Sequence, residues 1–373
     1  MDRFGEREMS EKAKVAYADL SQYQRTIVVS DIHGDNAGFL GTLEQTGFNP
    51  QDALVIVGDI LEKGEHSLEL LRTVMQCVQS CNVYMIAGNN DIIFSEWYNG
   101  EVTDEEVRAY MNARENIILR EMAQELEMGW ETISEVQALK AAVQIHYASE
   151  LAFLDSLPHI LETEHFTFVH AGLKPGPLTE QDRDYCLTAK SFGSQIHRFE
   201  KPIIVGHWPA SNYCEEIINV NPYFNRNTNV ISIDGGNSLN RWHQINYLIL
   251  QGDRIEVGAY DDIPKIRALD SQKASKNPLT LEFPRTEVEV IRKGEKESVC
   301  FVLALGQAMT VSNDHLYDYK GKLYCYNMTT YLLPVEAGQV LSCCDVEPQG
   351  LLVKRKGIVG YYTGRYEFLT QYA

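Results

Sequence analysis

From residue 26 onward, short runs of β-branched and apolar residues alternate with stretches whose apolar positions recur at helical spacing. TIVVS (26–30), ALVIV (53–57) and VYMIA (83–87) are each followed by a helical stretch; FTFVH (166–170), PIIVG (202–206), NVISI (229–233) and INYLIL (245–250) come later. Continuously apolar strands are buried on both faces, so this order predicts an α/β protein whose sheets are covered by helices. Between Thr103 and Ser156 strand-like runs stop, and Leu, Met, Ala and Trp recur at helical intervals among charged residues. The tract predicts a helical insertion at about 103–156, beside the ends of the strands. The first twenty residues, of mixed charge, read as helix material.

The pattern changes at Asp261. DDIPKIRALDSQKASKNPLT (261–280) loses periodicity and gains Lys, Ser, Asp and Pro, which predicts a linker. From Leu281, TEVEVIR, SVCFVLAL and LYDY-KG-KLYCY alternate apolar and polar positions around turn residues. They predict a small all-β module over 281–373, whose closing GLLVKRKGIVGYY loosely resembles the last strands of SH3-like barrels. At 373 residues the chain exceeds the ~250–300 at which one core stops growing, which agrees with a main domain over 1–260 and a smaller second one.

Composition narrows the partners. With 33 basic and 52 acidic side chains, the net charge of −19 argues against general nucleic-acid binding. No apolar run approaches the ~18 residues that span a bilayer, and the start of the chain lacks the apolar core of a signal peptide, so a cytoplasmic address and no membrane are expected. The eight cysteines form no CxxC pair and read as reduced thiols.

Polar residues of metal-ligand type close strand after strand: Asp31 and His33 in SDIHGD, Asp59 in VGDI, Asn89 in AGNND, His170 in FVHAG and His207 in VGHWP. A single His or Asp at a strand end is most often a cap or a loop hydrogen-bond partner. Six in order, each in a Gly-flanked turn, converge where α/β sheets collect ligands, outside the carboxyl ends of the strands. Two carboxylates, an amide oxygen and three imidazoles suit Mn²⁺, Fe²⁺ or Zn²⁺ better than Mg²⁺ or Ca²⁺. Six ligands exceed the need of one catalytic ion, so two ions sharing a carboxylate are expected.

The blocks SDIHGD, GDILEKG, GNND, FVHAGL and VGHWP resemble, in order, the signature of the calcineurin-like metallophosphoesterases over roughly residues 26–250. They are most similar to the phosphoprotein phosphatase branch and its bacterial diadenosine tetraphosphatase relatives. The resemblance implies a β-sandwich flanked by helices, with Asp31 and His33 on a first metal, Asp59 bridging, and Asn89, His170 and His207 on the second. It implies two divalent transition-metal ions, Mn²⁺ first, with iron or Zn²⁺ as alternatives. Pro209 fits the same branch, and ISIDGGNS is similar to a segment that places Asp234 near the metals. Two M²⁺ ions against Asp31 and Asp59 leave a net charge of about +2, sufficient to bind phosphate and to ionise a bridging water for attack on phosphorus.

Two departures qualify the resemblance. Where the branch reads GDxxDRG this chain has GDILEKG, putting Glu62 and Lys63 at those places, and Lys lacks the bidentate fork of Arg. Asn90 stands where the branch has a proton-donating His, and an amide cannot act as a general acid. His66 is a candidate substitute donor, although a surface residue at a helix start is the plainer reading. The leading expectation is a serine/threonine-type protein phosphatase or broad phosphomonoesterase acting on a phosphorylated protein or small phosphate ester. The alternatives are a dinucleoside polyphosphate hydrolase and a catalytically impaired metal-binding scaffold. The tyrosine-rich C-terminal strands read as barrel core, or as a face for a protein partner.

Overall fold

The computed structural model describes residues 11–252 and 254–369. They fall into two units: one takes the chain to Pro209 and adds Pro222–Leu239 and His243–Asp262, and the other combines Ala210–Asn221, Asn240–Trp242 and the chain from Ile263 onward.

The first unit has two sheets. One is six-stranded, in the order β1 (Val15–Tyr17), β5 (Ile160–Glu162), β6 (Thr167–Val169), β7 (Ile203–Val205), β9 (Val230–Ser232) and β8 (Tyr223–Asn225). The other is five-stranded, in the order β11 (Arg254–Tyr260), β10 (Ile245–Gln251), β2 (Thr26–Val29), β3 (Ala53–Ile56) and β4 (Val83–Met85). Strand alternation assigns each residue to a core. Val28 and Val55 join Phe168, Ile204, Ile231 and Leu248 in the layer between the sheets. Their neighbours Ile27, Val29, Leu54 and Ile56 pack outward with Phe39, Leu70 and Leu71. These come from helices α1 (Asn36–Thr46) and α2 (Ser67–Ser80). On the far side, Ile160, Val169, Ile203 and Val205 meet Cys186 of α8 (Arg183–Thr188). Both faces of these strands are covered, which is why they read as continuous apolar runs. Each such side chain contributes roughly 1.5–3 kcal/mol on burial.

After α3 (Ile93–Tyr98), the tract 103–156 forms α4 (Asp104–Ala113), α5 (Ile118–Glu125), α6 (Ile133–His146) and α7 (Ala148–Ser156). Capping boxes start α4 (Thr103 with Glu106) and α6 (Thr132 with Glu135). Val107, Met111, Leu119, Met122, Val136 and Leu139 bury one stripe of the insertion in the core outside the five-stranded sheet.

The N-terminal expectation needs correcting. Residues 1–10 lie outside the described residues, but Val15–Tyr17 is strand, not helix, paired in parallel with Ile160–Glu162. Three residues completing a sheet edge take their state from the partner strand, against the local composition.

The second unit is all-β. Its main sheet runs β22 (Ile358–Tyr362), β21 (Gly350–Arg355), β20 (Val340–Glu347), β12 (Lys265–Ala268) and β23 (Tyr366–Phe368), antiparallel throughout. GLLVKRKGIVGYY forms the β21–β22 hairpin at one end of this sheet. Beside it stand a three-stranded meander, β14 (Val288–Arg292), β15 (Glu297–Val302) and β16 (Gln307–Ser312), and the short pair β13 (Thr280–Leu281) and β19 (Met328–Thr329). The hairpin β17 (Leu316–Tyr319) and β18 (Lys322–Cys325) turns on Lys320 and Gly321, both at positive φ, as a two-residue primed turn requires. The tract 261–280 differs from the expected linker, because β12 lies inside it. Ile266 and Ala268 are buried while Arg267 between them is exposed, a period of two too short to stand out among Lys, Asp and Ser.

Candidate metal centre

All six ligand candidates come together. Asp31, His33 and Asp59 form one group with ligand atoms mutually within 4.8 Å, and Asp59, His170 and His207 form a second, so Asp59 belongs to both. Asn89 Oδ1 lies 3.1 Å from His170 Nε2 and 2.8 Å from His207 Nδ1. Each residue follows a strand of the two sheets: β2, β3, β4, β6 and β7.

The backbone there is strained. Asp31, His33, Asp59, Glu62, Lys63 and His207 all have φ between 51° and 70°, the left-handed region that side chains disfavour. Such residues cost of order 1–3 kcal/mol each and persist where the surroundings fix them. Close approach fixes these. A Cβ on Gly88 would stand 2.2 Å from Asp59 Oδ1, and one on Gly206 would stand 2.1 Å from Asp31 Oδ2. The His207 N–H in turn donates to both oxygens of Asp31, at 3.0 and 3.1 Å.

Asp91 organises the loops, a role the sequence reading missed. Its Oδ2 accepts from the N–H groups of Asp59 (2.7 Å) and Gly88 (2.8 Å), and its Oδ1 from those of Ile60 (3.1 Å) and Leu61 (3.3 Å). The available signal was an acid closing the Gly-Asn-Asn turn, where buried loop N–H groups need an acceptor. Burial and the Asp59 charge push this carboxyl up to about 7, against the pull of those N–H groups.

The electrostatics call for a cation. Burial pushes Asp31 up to about 6. Burial also works against the charge of Asp59, yet His170, His33 and Lys63 hold it well below the carboxylate range. Burial would strip the proton from His170, but the adjoining Asp59 and then Asp31 hold it up to about 10. Burial and then Lys63 take His33 down to about 3, and burial and then His170 take His207 well below its ordinary value. His170 Nδ1 donates to the Val57 carbonyl at 2.9 Å, which turns Nε2 toward Asp59 Oδ1 (3.5 Å) and Asn89 Oδ1. His33 Nδ1 likewise donates to the Leu61 carbonyl at 3.1 Å and leaves Nε2 facing the cluster. Lone pairs of the His33 and His207 rings, the carboxylates and an amide oxygen thus converge, with the proton that His170 keeps on Nε2 standing among them. Asp234 adds a third acid: it is fully buried, its Oδ1 accepts from Gly236 N–H at 2.7 Å, and its Oδ2 has no hydrogen-bond partner. Burial and the Asp31 charge hold it well above the carboxylate range. This donor set fits divalent transition-metal ions.

The remaining candidates divide. Lys63 Nζ reaches His33 Nε2 at 2.8 Å. Asn90 holds Asp59 by its backbone N–H to Oδ1 (2.8 Å) and its side-chain amide to Oδ2 (2.5 Å). Glu62 belongs to neither group: its carboxylate accepts from the Tyr110 hydroxyl at 2.5 Å and the Ile118 N–H at 3.4 Å, both in the helical insertion. His66 is exposed at the start of α2 and also lies outside both groups. Only Lys63, Asn89 and His207 are half-exposed, so they mark the open side of the cluster.

The chain is similar to known proteins over part of its length. Over 68 residues the chain is 40% identical to a symmetrical bis(5'-nucleosyl)-tetraphosphatase of Nitrosomonas europaea, and over 76 residues it is 38% identical to that of Pectobacterium atrosepticum. These stretches are 18% and 20% of this chain, and they span about a quarter of the relatives' length, 25% and 26%. A solved serine/threonine phosphatase from Saccharomyces cerevisiae aligns over 68% of this chain and 86% of its own at 11% identity, with a TM-score of 0.40. The family model for calcineurin-like phosphoesterases matches residues 24–216, more than half of the chain and a range that includes all six clustered residues, so the chain belongs to the calcineurin-like phosphoesterase family.

Proposed function

We propose that the protein is a divalent-metal-dependent phosphohydrolase that favours substrates with an acidic leaving group, dinucleoside polyphosphates and related phosphoanhydrides foremost. Asp31, His33 and Asp59 would hold one ion, and Asp59, Asn89, His170 and His207 the other. Bound there, such ions supply Lewis acidity and positive charge for a phosphoryl group. Lys63 stands at the open side as a point donor for phosphate oxygens. Asp91 and Asn90 fix Asp59 from behind, through backbone and amide hydrogen bonds.

The observation that carries the preference is Asn90. Its amide donates to Asp59, and it offers no ionisable proton to a departing alkoxide. Losing a general acid costs ~10²–10⁴ in rate for a poor leaving group and least for one that leaves as an anion. The local identity to the tetraphosphatases supports the same substrate class. A serine/threonine-type phosphatase or broad phosphomonoesterase is the second reading, supported by the resemblance of SDIHGD and VGHWP, with Pro209, to the phosphoprotein phosphatase branch. With Mn²⁺ added, kcat/KM for diadenosine tetraphosphate is expected to exceed that for a phosphoserine peptide at least a hundredfold; the opposite order would select the second reading. Asp59→Asn is expected to abolish both activities and lower bound metal below two per chain, and an active variant would locate the chemistry elsewhere.

A further inference from the structure

A cavity of about 460 Å³ lies between α3 and the junction of α6 and α7. Small-molecule sites occupy ~300–1,000 Å³. Asp91, the residue after Asn90, is among its lining, and the Asp91 carboxylate holds the Asp59 loop. The same residue thus lines the cavity and supports a ligand loop, and the cavity follows the face of α3 through Phe94 and Tyr98.

Its lining selects among occupants. Phe94, Leu151 and Leu154 supply an apolar wall, and the Tyr98 ring is held by its hydroxyl donating to the Lys140 carbonyl at 2.7 Å. The polar groups are Ser95, Asn99, Gln144 and two acids, Asp91 and Asp155, with no Lys, Arg or His among the lining residues. Two ammonium groups stand beside the lining, Lys14 Nζ on the Asp155 carbonyl at 2.7 Å and Lys140 Nζ 5.4 Å from the Tyr98 ring centroid, so the apolar wall and the amide acceptors, more than charge, select the occupant. An uncharged aromatic ring with amino donors would bury its faces on the apolar wall and donate to Asp155 and to the amide oxygens of Asn99 and Gln144.

We propose that this cleft receives the base of a nucleotide whose phosphates lie at the metal centre, an adenine-type ring being the closest chemical match. The assignment rests on the phosphoanhydride reading above and names the part of the substrate that the metals do not touch. Phosphate and base would thus be held apart: Lys63 and the metal ligands on one side, an apolar cleft with amide acceptors on the other.

The test uses the full chain with Mn²⁺ and two variants of the exposed wall, Ala152→Trp, which fills the cleft, and Gln144→Ala, which removes an amide without adding volume. The reading is the ratio of kcat/KM for diadenosine tetraphosphate to kcat/KM for p-nitrophenyl phosphate. Ala152→Trp is expected to lower that ratio at least tenfold, mainly through KM, and Gln144→Ala about threefold in the same direction. Adenosine, which carries no phosphate, is expected to show saturation-transfer NMR signals with the wild type and to lose them with Ala152→Trp. Ratios within twofold of wild type, or adenosine signals that survive the filled cleft, would overturn the assignment. Hydrolysis of p-nitrophenyl phosphate without hydrolysis of diadenosine tetraphosphate would overturn the base site and leave a phosphoesterase. Hydrolysis of neither would sink the functional proposal, and the adenosine measurement would then still decide the cleft.

Discussion

Replacing Asp91 by Asn tests whether one buried carboxylate holds the metal-binding loops in their strained conformation. Asp91 accepts four backbone N–H groups, two on each oxygen. Asn keeps one oxygen and puts an NH₂ group where the other stood, so two N–H donors face another donor. In the milder orientation the bonds at 2.7 and 2.8 Å survive, and those from Ile60 and Leu61, at 3.1 and 3.3 Å, are lost. Each buried donor left unsatisfied costs about 1–3 kcal/mol, and the longer bonds belong toward the lower end, giving a total of about 2–4 kcal/mol. For a unit of this size 1 kcal/mol shifts Tm by roughly 2–4 °C, so the first thermal transition should fall by about 4–16 °C. Asp59 N–H is among the anchored groups, so bound Mn²⁺, measured by elemental analysis after dialysis, should also fall. A variant within 2 °C of wild type that keeps its metal would refute the argument, since the loop strain would then be held by something other than this acid.

Gly206→Ala places a Cβ 2.1 Å from Asp31 Oδ2, and the forced shift should cost about 1–3 kcal/mol and lower bound metal, read by calorimetry and elemental analysis. Tyr110→Phe removes the hydroxyl that donates to the buried Glu62 carboxylate and should cost about 1–3 kcal/mol while bound metal stays at the wild-type level, because Glu62 belongs to neither ligand group. In the second unit, burial pushes Glu282 up to about 8 from 4.5, so the stability tied to its neutral form is complete below pH 4.5 and is lost as pH rises toward 8. Glu282→Gln should match wild type at pH 4.5 and exceed it progressively to pH 8, by at most on the order of 5 kcal/mol in urea melts; parallel pH profiles would show that Glu282 is ionised throughout.

Much of the fold was legible because the strands that build the sandwich are covered on both faces. TIVVS, ALVIV and PIIVG stand out as apolar runs since one side of each strand meets the opposite sheet and the other meets helices. Val15–Tyr17 and Lys265–Ala268 did not stand out, being three- and four-residue strands whose state comes from sheet partners distant in sequence. The ligand candidates were legible for a related reason: a strand that ends in a Gly-flanked turn sets the residues after it at the end of the sheet, and five such turns carried the six ligand-type side chains.

The sequence by itself determined the chemistry on offer, namely which side chains can bind a metal, the absence of an ionisable group at Asn90, and Lys in place of Arg at position 63. Tertiary structure decided how those groups are used. It turned Glu62 toward Tyr110 and away from the cluster, left His66 exposed, set Asp91 beneath four loop N–H groups, and buried Asp234 with one oxygen unpartnered. Residue type and spacing are local properties, whereas the direction of a carboxylate depends on which donors the packed chain brings within hydrogen-bond reach, and those donors come from segments far away in sequence.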